Sequence, residues 1–144
     1  MQKLKKLLAL GAAAMMLVGS ASLPVSAIEP NTTEYGWSFN VEPTRLSTVT
    51  KEQRKIDASY TYVYYEGGTK DYFTCDVLSL AGRSQCKKTG AIHEGERGLI
   101  EQYVYERGFR WCKLELTSDK SYSGAGGSGV WSPDCVGSYP YCNL

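Results

Sequence analysis

The sequence predicts an all-β protein, an antiparallel β-sandwich or open barrel of about seven to eight short strands stabilised by disulfides. Short runs alternate aromatic or β-branched side chains with polar ones, and a strand has a side-chain period of two. Turn signals rich in glycine and aspartate separate these runs at intervals of about 8 to 12 residues. All five cysteines follow a predicted export signal, and exported cysteines usually pair.

The first residues have the order of a secretory signal peptide. Three lysines precede an apolar run over residues 7–18, and small residues then lead to Ala27. A run of about 12 residues is too short to span a bilayer, which takes roughly 20. We therefore predict a cleaved signal peptide over 1–27, a single secreted β domain over 28–144, and no membrane insertion after cleavage.

The charge balance changes when the signal peptide is removed. The whole chain has 16 basic and 15 acidic residues, and loss of the three signal lysines leaves 13 against 15, a net charge of about −2. Electrostatic attraction to nucleic acid or to anionic lipid is therefore not expected. No nucleic-acid partner and no cofactor are predicted.

The first half of the domain is predicted to form strands. The stretches "YGWSFNVE" and, more weakly, "RLSTVTKEQRK" alternate in side-chain type. In "SYTYVYYEGG", Tyr60, Tyr62 and Tyr64 fall on one face, with the intervening residues on the other. In "DYFTCDVLS", one face carries Phe73 and Cys75, followed by Val77.

The stretch over residues 97–118 allows two interpretations. A helix over 98–107 places apolar side chains on one face, whereas a hairpin pairs 99–105 with 109–116 around a turn that Gly108 closes with positive φ. The hairpin is favoured, because Cys112, Leu114 and Leu116 alternate with charged residues. The next segment, "SDKSYSGAGGSG", is predicted to be a flexible or wide loop.

No catalytic or metal-binding constellation is present in the sequence, so the protein is predicted not to be an enzyme. His93 is the one histidine, and we expect it at a strand end near solvent. Cysteines spaced as C-x-x-C are missing, so no metal site is predicted. Four glutamates near one another in sequence allow a glycosidase pair, but a charged turn explains them equally well. They are Glu94, Glu96, Glu101 and Glu106.

The cysteines are predicted to form two disulfides. Cys135 and Cys142 enclose a short loop containing glycine and proline, and a bridge there fixes the terminus. Cys75 pairs either with Cys86, across a turn near residues 81–82, or with Cys112, which also faces inward. The local pair is favoured and leaves Cys112 as a buried thiol.

Aromatic side chains are the main candidates for a binding surface. Eleven tyrosines and three tryptophans are many for a domain of this size, and such rings dominate binding hot spots. Cross-strand aromatic pairs that only stabilise a sheet are the alternative. The predicted binding residues are Trp131, Tyr139, Tyr141, Tyr62 and Tyr64, and the expected partner is an extracellular glycan or protein.

The segment "VYERGFRWCKLEL…SGVWSPDCVGSYPYCN" resembles a group of small exported β-rich proteins of Gram-positive gut bacteria. That group shares a V-x-E-x-G turn and a final G-x-W-S-P-D-S-like segment, and this chain departs from it at Cys135 and Cys142. The resemblance covers residues 97–143 and implies a compartment and a fold, without a reaction or ligand. In this segment Trp131 is expected to plug the core, Pro133 to stop the strand, and Asp134 to accept backbone hydrogen bonds.

Two functions are compatible with these features. The first is a secreted, non-catalytic β-sandwich protein that binds an extracellular glycan or protein through exposed aromatic rings. The alternative is a bacteriocin-like or toxin-like secreted effector, which the small size and predicted export also suit.

Overall fold

The computed structural model describes residues 29–41, 45–118 and 125–143, so the predicted signal peptide lies outside the described residues. Nine strands are present in the described part of the chain. They are β1 (Tyr35–Val41), β2 (Ser47–Val49), β3 (Gln53–Arg54), β4 (Thr61–Gly68), β5 (Tyr72–Leu78), β6 (Gly90–His93), β7 (Arg97–Ile100), β8 (Trp111–Thr117) and β9 (Ala125–Ser132).

The strands form two sheets that face each other as a sandwich and do not close into a barrel. One sheet has the order β1-β9-β4-β7, and the other has the order β2-β8-β5-β6, with β3 also paired to β8. Every strand pair is antiparallel. Side chains from both sheets share one core, and the rings of Trp37 and Phe73 meet across it edge to face, 5.6 Å apart.

Alternation along the strands predicts the core faces correctly. Val63 and Tyr65 of β4 enter the core, while Tyr62 and Tyr64 lie on the opposite face. Cys75, like its neighbours two residues away on β5, is buried as predicted. Because paired strands share their faces, this single pattern assigns most of the core.

The predicted strand in "RLSTVTKEQRK" is divided in two, which raises the strand number to nine. β2 and β3 both pair with β8, and the chain between them leaves the ladder. The Thr50 hydroxyl accepts a hydrogen bond from the Leu114 amide at 3.0 Å, in place of a backbone carbonyl. A side-chain hydroxyl thus takes the place of a backbone acceptor at this point, and the alternation of side-chain types in the sequence does not reveal such an irregularity.

The predicted hairpin over residues 99–116 is wrong, and the alternative helix is not formed either. β7 pairs with β4 in one sheet, whereas β8 lies in the other sheet, so residues 101–110 cross between them. Gln102 is fully buried and fixes this crossing, because its side chain accepts from the Val104 amide and donates to the Ser59 carbonyl. The turn does close at Gly108 with φ of 84°, as predicted.

The predicted glycine-rich loop is wrong where the structure describes it, and residues 119–124 lie outside the described part. Residues 125–129 belong to β9, which lies between β1 and β4 in the middle of a sheet. Gly127 and Gly129 face the rings of Trp37, Tyr65 and Phe73 at distances that leave no room for a side chain. The glycines are therefore a packing requirement in this strand.

The predicted disulfides are also absent from the structure, in which all five cysteines are free thiols. Cys135 is held at the end of β9, where its amide donates to the Ser59 hydroxyl at 3.0 Å. Cys142 instead packs its side chain between Gly90 and Gly98 on the neighbouring strands. The two predicted partners thus contact different elements, so the short loop does not bring them together.

The predictions for the segment after β9 are confirmed. Trp131 is fully buried in the core, and β9 ends at Ser132, before Pro133. Asp134 accepts hydrogen bonds from the amides of Asn31 at 2.7 Å and Ile56 at 3.0 Å. These bonds connect the entry of the domain, the residues after β3 and the exit of β9 at one buried point.

An unpredicted ion pair occupies the same point. The Lys55 ammonium lies 2.7 Å from the Asp134 carboxylate, and neither side chain is exposed to solvent. The ammonium also donates to the carbonyl oxygens of Pro133, at 2.7 Å, and Ser59. All three ammonium hydrogens thus have acceptors, which a buried charge requires.

Candidate tyrosine-lined binding cleft

The last residues of the chain run along β7 and close one side of the sandwich. The Leu99 amide donates to the Pro140 carbonyl at 2.8 Å, and the Cys142 amide donates to the Leu99 carbonyl at 2.8 Å. The Ala91 amide of β6 donates to the Cys142 carbonyl at 3.1 Å. This tail therefore joins the edge strands of both sheets, and it does so with backbone hydrogen bonds instead of a disulfide.

Asn143 secures the end of the tail. Its side-chain oxygen accepts from the Glu101 amide at 2.9 Å, and its side-chain nitrogen donates to the carbonyls of Lys88 and Glu101. The residue is buried, and all of these side-chain bonds are made to backbone groups. The tail is thus held in a defined position against residues 99–101.

The held tail and the start of β4 enclose a cleft of about 350 Å³. We call it the tyrosine cleft, and define it by the four rings and two carboxylates among its lining residues. These are Tyr60, Tyr103, Tyr139, Tyr141, Glu101 and Glu106. A volume of this size is within the range of sites for small ligands, about 300–1,000 Å³.

Ring contacts fix the positions of the tyrosines. Tyr141 meets Tyr60 edge to face, with ring centroids 5.3 Å apart, and Tyr139 packs on Tyr62 with centroids 5.1 Å apart. The Tyr103 hydroxyl donates to the Glu101 carboxylate at 3.1 Å. Since each ring is held by a neighbour, little side-chain entropy remains to be lost when a ligand binds.

The carboxylates give the cleft a negative electrostatic potential. A hydrogen bond to Glu101, and the charge of that carboxylate, raise the pKa of Tyr103 above its ordinary value. Burial, followed by the nearby Tyr141 and Glu101, raises the pKa of Tyr60. Both phenols are therefore neutral at physiological pH.

The structure places two of the five predicted binding residues in the cleft. Tyr139 and Tyr141 line it. Tyr62 is only 6% exposed and does not line the cleft, but its ring packs against that of Tyr139. Tyr64 lies on the same sheet face outside the cleft, under the Arg97 guanidinium at 4.6 Å. Trp131 is 0% exposed, and its inclusion among binding residues was wrong because it fills the core.

The predicted binding residues omit four cleft residues, of which Glu101 and Glu106 are named in the sequence analysis only as part of a possible glycosidase pair. Tyr60 belongs to the same alternating run as Tyr62, so its face was already indicated. Glu101 and Tyr103 are two residues apart, a spacing that shares a face in the predicted strand over 99–105, but the hairpin prediction gave that strand the wrong partner. Glu106 reaches the cleft from the following turn, whereas Glu94 and Glu96 lie in the turn between β6 and β7.

Burial keeps the thiols protonated and therefore weakly nucleophilic at neutral pH. It raises the pKa of Cys86 and Cys112 to about 12 and that of Cys142 to about 11. The pKa of Cys75 lies well above its ordinary value for the same reason, and burial also raises that of Cys135. His93 is exposed at the end of β6, as predicted, with its ring against Tyr72.

Within residues 29–41, 45–118 and 125–143, no group of three or more histidine, cysteine, aspartate or glutamate side chains is arranged to hold a metal ion. Over the same ranges, no helix has the length and apolar character needed to cross a membrane.

The side of the sandwich opposite the tail is open. A cavity of about 560 Å³ lies between β1 and the β2–β3 region, with Trp37 and Trp131 among the lining residues. Trp37 Nε1 is the one buried side-chain polar atom of the described residues that lacks a hydrogen-bond partner. Its nitrogen is covered by protein atoms, so the tyrosine cleft remains the better candidate site.

Comparison with known proteins adds a family to this description. Residues 23–135 match the family described as "Protein of unknown function (DUF2712)", and this match covers more than half of the chain. The chain belongs to this family. No curated protein and no solved structure matches the chain. The family is uncharacterised, which is consistent with the predicted resemblance to an uncharacterised group, while the Gram-positive gut source and the G-x-W-S-P-D-S-like final segment stay predictions.

Proposed function

We propose that this protein is exported and binds an extracellular glycan in the tyrosine cleft without catalysing a reaction. The observation that supports this function is a set of four pre-positioned tyrosine rings around an open cavity of about 350 Å³. Aromatic faces pack on the apolar C–H faces of sugar rings, and phenol and carboxylate oxygens bond to sugar hydroxyls. The cleft supplies both kinds of contact.

The proposal predicts that two ring deletions weaken glycan binding. Tyr141→Ala and Tyr60→Ala each remove one ring of the edge-to-face pair, and each is expected to lower affinity at least about tenfold. Affinities would be measured by calorimetry, with an oligosaccharide selected from a glycan panel by the unaltered protein. Both positions are partly exposed, so the fold is expected to persist.

Tyr105→Ala is the matched control for these variants. The Tyr105 ring is partly exposed, packs under the Arg110 guanidinium at 4.2 Å and does not line the cleft. Its deletion is expected to leave glycan affinity unchanged. The proposal would be wrong if no glycan of the panel binds at millimolar concentration, or if Tyr105→Ala weakens binding as much as Tyr141→Ala.

A second candidate function, a secreted effector that acts at membranes, is favoured by a different surface. Leu80, Phe109 and Trp111 are 52%, 44% and 44% exposed and line one groove of about 410 Å³, which we call the apolar tip. Arg83 and Arg110 flank it. Clustered apolar side chains with adjacent cations suit the surface of an anionic bilayer, even where the net charge of the predicted mature chain is slightly negative.

This second candidate predicts co-sedimentation with vesicles that contain anionic lipid and weaker binding to neutral vesicles. Trp111→Ser is expected to reduce that binding at least about tenfold, whereas Val136→Ser removes a more exposed apolar residue outside this groove and should have no effect. Growth of neighbouring bacterial species would be measured with the same proteins. Equal binding to both vesicle types, or undiminished growth at micromolar protein, would eliminate the effector function.

A further inference from the structure

The tyrosine cleft has acidic walls and no basic side chain among its lining residues. Glu101 and Glu106 are the charged groups that line it, together with uncharged and aromatic residues. The Glu101 carboxylate is oriented by the Tyr103 hydroxyl, which donates to it at 3.1 Å. The charged side chains that line the cleft are therefore all negative, and the Glu101 carboxylate is held in place by a hydrogen bond.

Two cations that contact residues lining the cleft, Lys55 at Ser59 and Arg107 at Tyr103, have further partners outside it. The Lys55 ammonium is enclosed by the Asp134 carboxylate and two backbone carbonyls, with no exposed surface. The Arg107 guanidinium lies over the Tyr103 ring at 5.4 Å and donates to the Gln85 side chain at 3.1 Å. Neither residue lines the cleft, so neither neutralises its carboxylates from within.

We infer that the ligand of this cleft carries a positively charged amine, and that its chemical class is an amino sugar whose nitrogen is not acetylated. The inference rests on the proposed glycan-binding function and adds the charge of the ligand. Tyrosine faces attract cations through the negative potential above the ring, and a nearby carboxylate strengthens that attraction. An uncharged sugar would leave both carboxylates of the cleft without a counter-charge.

The raised pKa values of two tyrosines in the cleft also agree with a preference for a positively charged ligand. Burial is the largest cause of the raised pKa of Tyr60, and the hydrogen bond to Glu101 is the largest cause of the raised pKa of Tyr103. The charges of Glu101 and Glu106 add to both increases, and this part of the shift disfavours a phenolate and favours a cation. The two carboxylates thus oppose added negative charge and attract positive charge.

The test compares two oligosaccharides that differ only in acetylation of the nitrogen. Chitosan tetrasaccharide carries free amines, and chitin tetrasaccharide carries neutral acetamides on the same backbone. At about pH 6, where most of the chitosan amines are protonated, calorimetry is expected to show about tenfold tighter binding of the chitosan form. Added salt should weaken that preference, because part of the attraction is between partly exposed charges.

Charge-neutralising variants identify the source of the preference. Glu101→Gln and Glu106→Gln are each expected to lower the affinity for the chitosan form several-fold while leaving the affinity for the chitin form unchanged. Glu94→Gln, an exposed glutamate outside the cleft, is the control and should change neither affinity.

The outcomes separate this inference from the function on which it rests. If both sugars bind with equal affinity, or the chitin form binds tighter, the cleft binds glycans and the inference about charge is overturned. If the preference survives both glutamine variants, the carboxylates are not its cause and the inference fails as well. If neither of these sugars, nor any other glycan of the panel, binds, the proposed function itself falls.

Discussion

Replacing Asp134 with alanine is expected to lower the free energy of unfolding by about 4 kcal/mol. The substitution leaves the Lys55 ammonium buried without its counter-ion, and the pair has no solvent exposure on either side. It also removes the acceptor of the Asn31 and Ile56 amides, which bond to the second carboxylate oxygen. Urea denaturation of the variant and the unaltered protein at neutral pH measures the loss.

A double-mutant cycle separates the ion pair from the other contacts of Asp134. Lys55→Met alone is expected to cost about 3 kcal/mol, because it leaves the carboxylate buried without the ammonium. Combining Lys55→Met with Asp134→Leu removes both charges, and the double variant should be clearly more stable than the sum of the single losses implies. Strictly additive losses would show that the two groups do not stabilise each other.

This ion pair also illustrates what a sequence does not reveal. Lys55 follows a run of polar residues and has no local feature that predicts burial. Its partner lies 79 positions later in the chain, so the pairing depends on the complete arrangement of β3, β4 and β9. Asp134 was predictable as a hydrogen-bond acceptor because its position after a strand-ending proline is local information.

The core faces were predictable for the opposite reason. A strand imposes a period of two on its own residues, so the inward positions of β8 and of the first half of β5 could be assigned without knowing their neighbours. In β4 the rule gives the core-facing residues Val63 and Tyr65, although Tyr62 on the other face is also buried. The same rule could not assign the partner of β7, because strand pairing is decided by contacts distant in sequence. The hairpin prediction failed at that step.

The cysteines and the tyrosine cleft are further cases in which contacts between residues distant in sequence could not be predicted. Counting cysteines predicts pairs from composition, whereas a disulfide needs two β-carbons about 3.5–4.5 Å apart. Tyr139 and Tyr141 were predictable candidates because they are in a short loop of constrained residues. Their neighbours Tyr60 and Tyr103 are brought to the cleft by two different elements, which only the folded chain places together.

Replacing Gly129 with alanine is expected to destabilise the protein by about 3 kcal/mol or more. A β-carbon at this position would lie 1.9 Å from the Tyr64 carbonyl oxygen and 2.8 Å from the Trp37 ring. The carbonyl belongs to the backbone of β4, so it cannot move aside as the end of a flexible side chain can. The strand must shift away from its neighbour, and that shift weakens the β4–β9 ladder.

Gly36→Ala is the control for this substitution, because it tests the same change in the neighbouring strand β1. A β-carbon at Gly36 would meet no atom within 4 Å, and the residue is exposed. We expect a change in stability within about 0.5 kcal/mol, since the loss of glycine flexibility in the unfolded chain offsets small costs in the folded one. The two variants thus distinguish the effect of lost glycine flexibility, which both share, from the effect of a steric clash, which only Gly129→Ala introduces.

The spectroscopic consequence distinguishes a packing clash from a general weakening of the strand. Trp37 lies in the core against Tyr65 and Phe73, with ring centroids 5.7 and 5.6 Å away. Gly129→Ala should alter the near-ultraviolet circular dichroism of this ring cluster in the folded protein, before any denaturant is added. If the variant keeps both the native spectrum and the native urea midpoint, the glycines of β9 are not required for packing, and the loop composition of this strand has another cause.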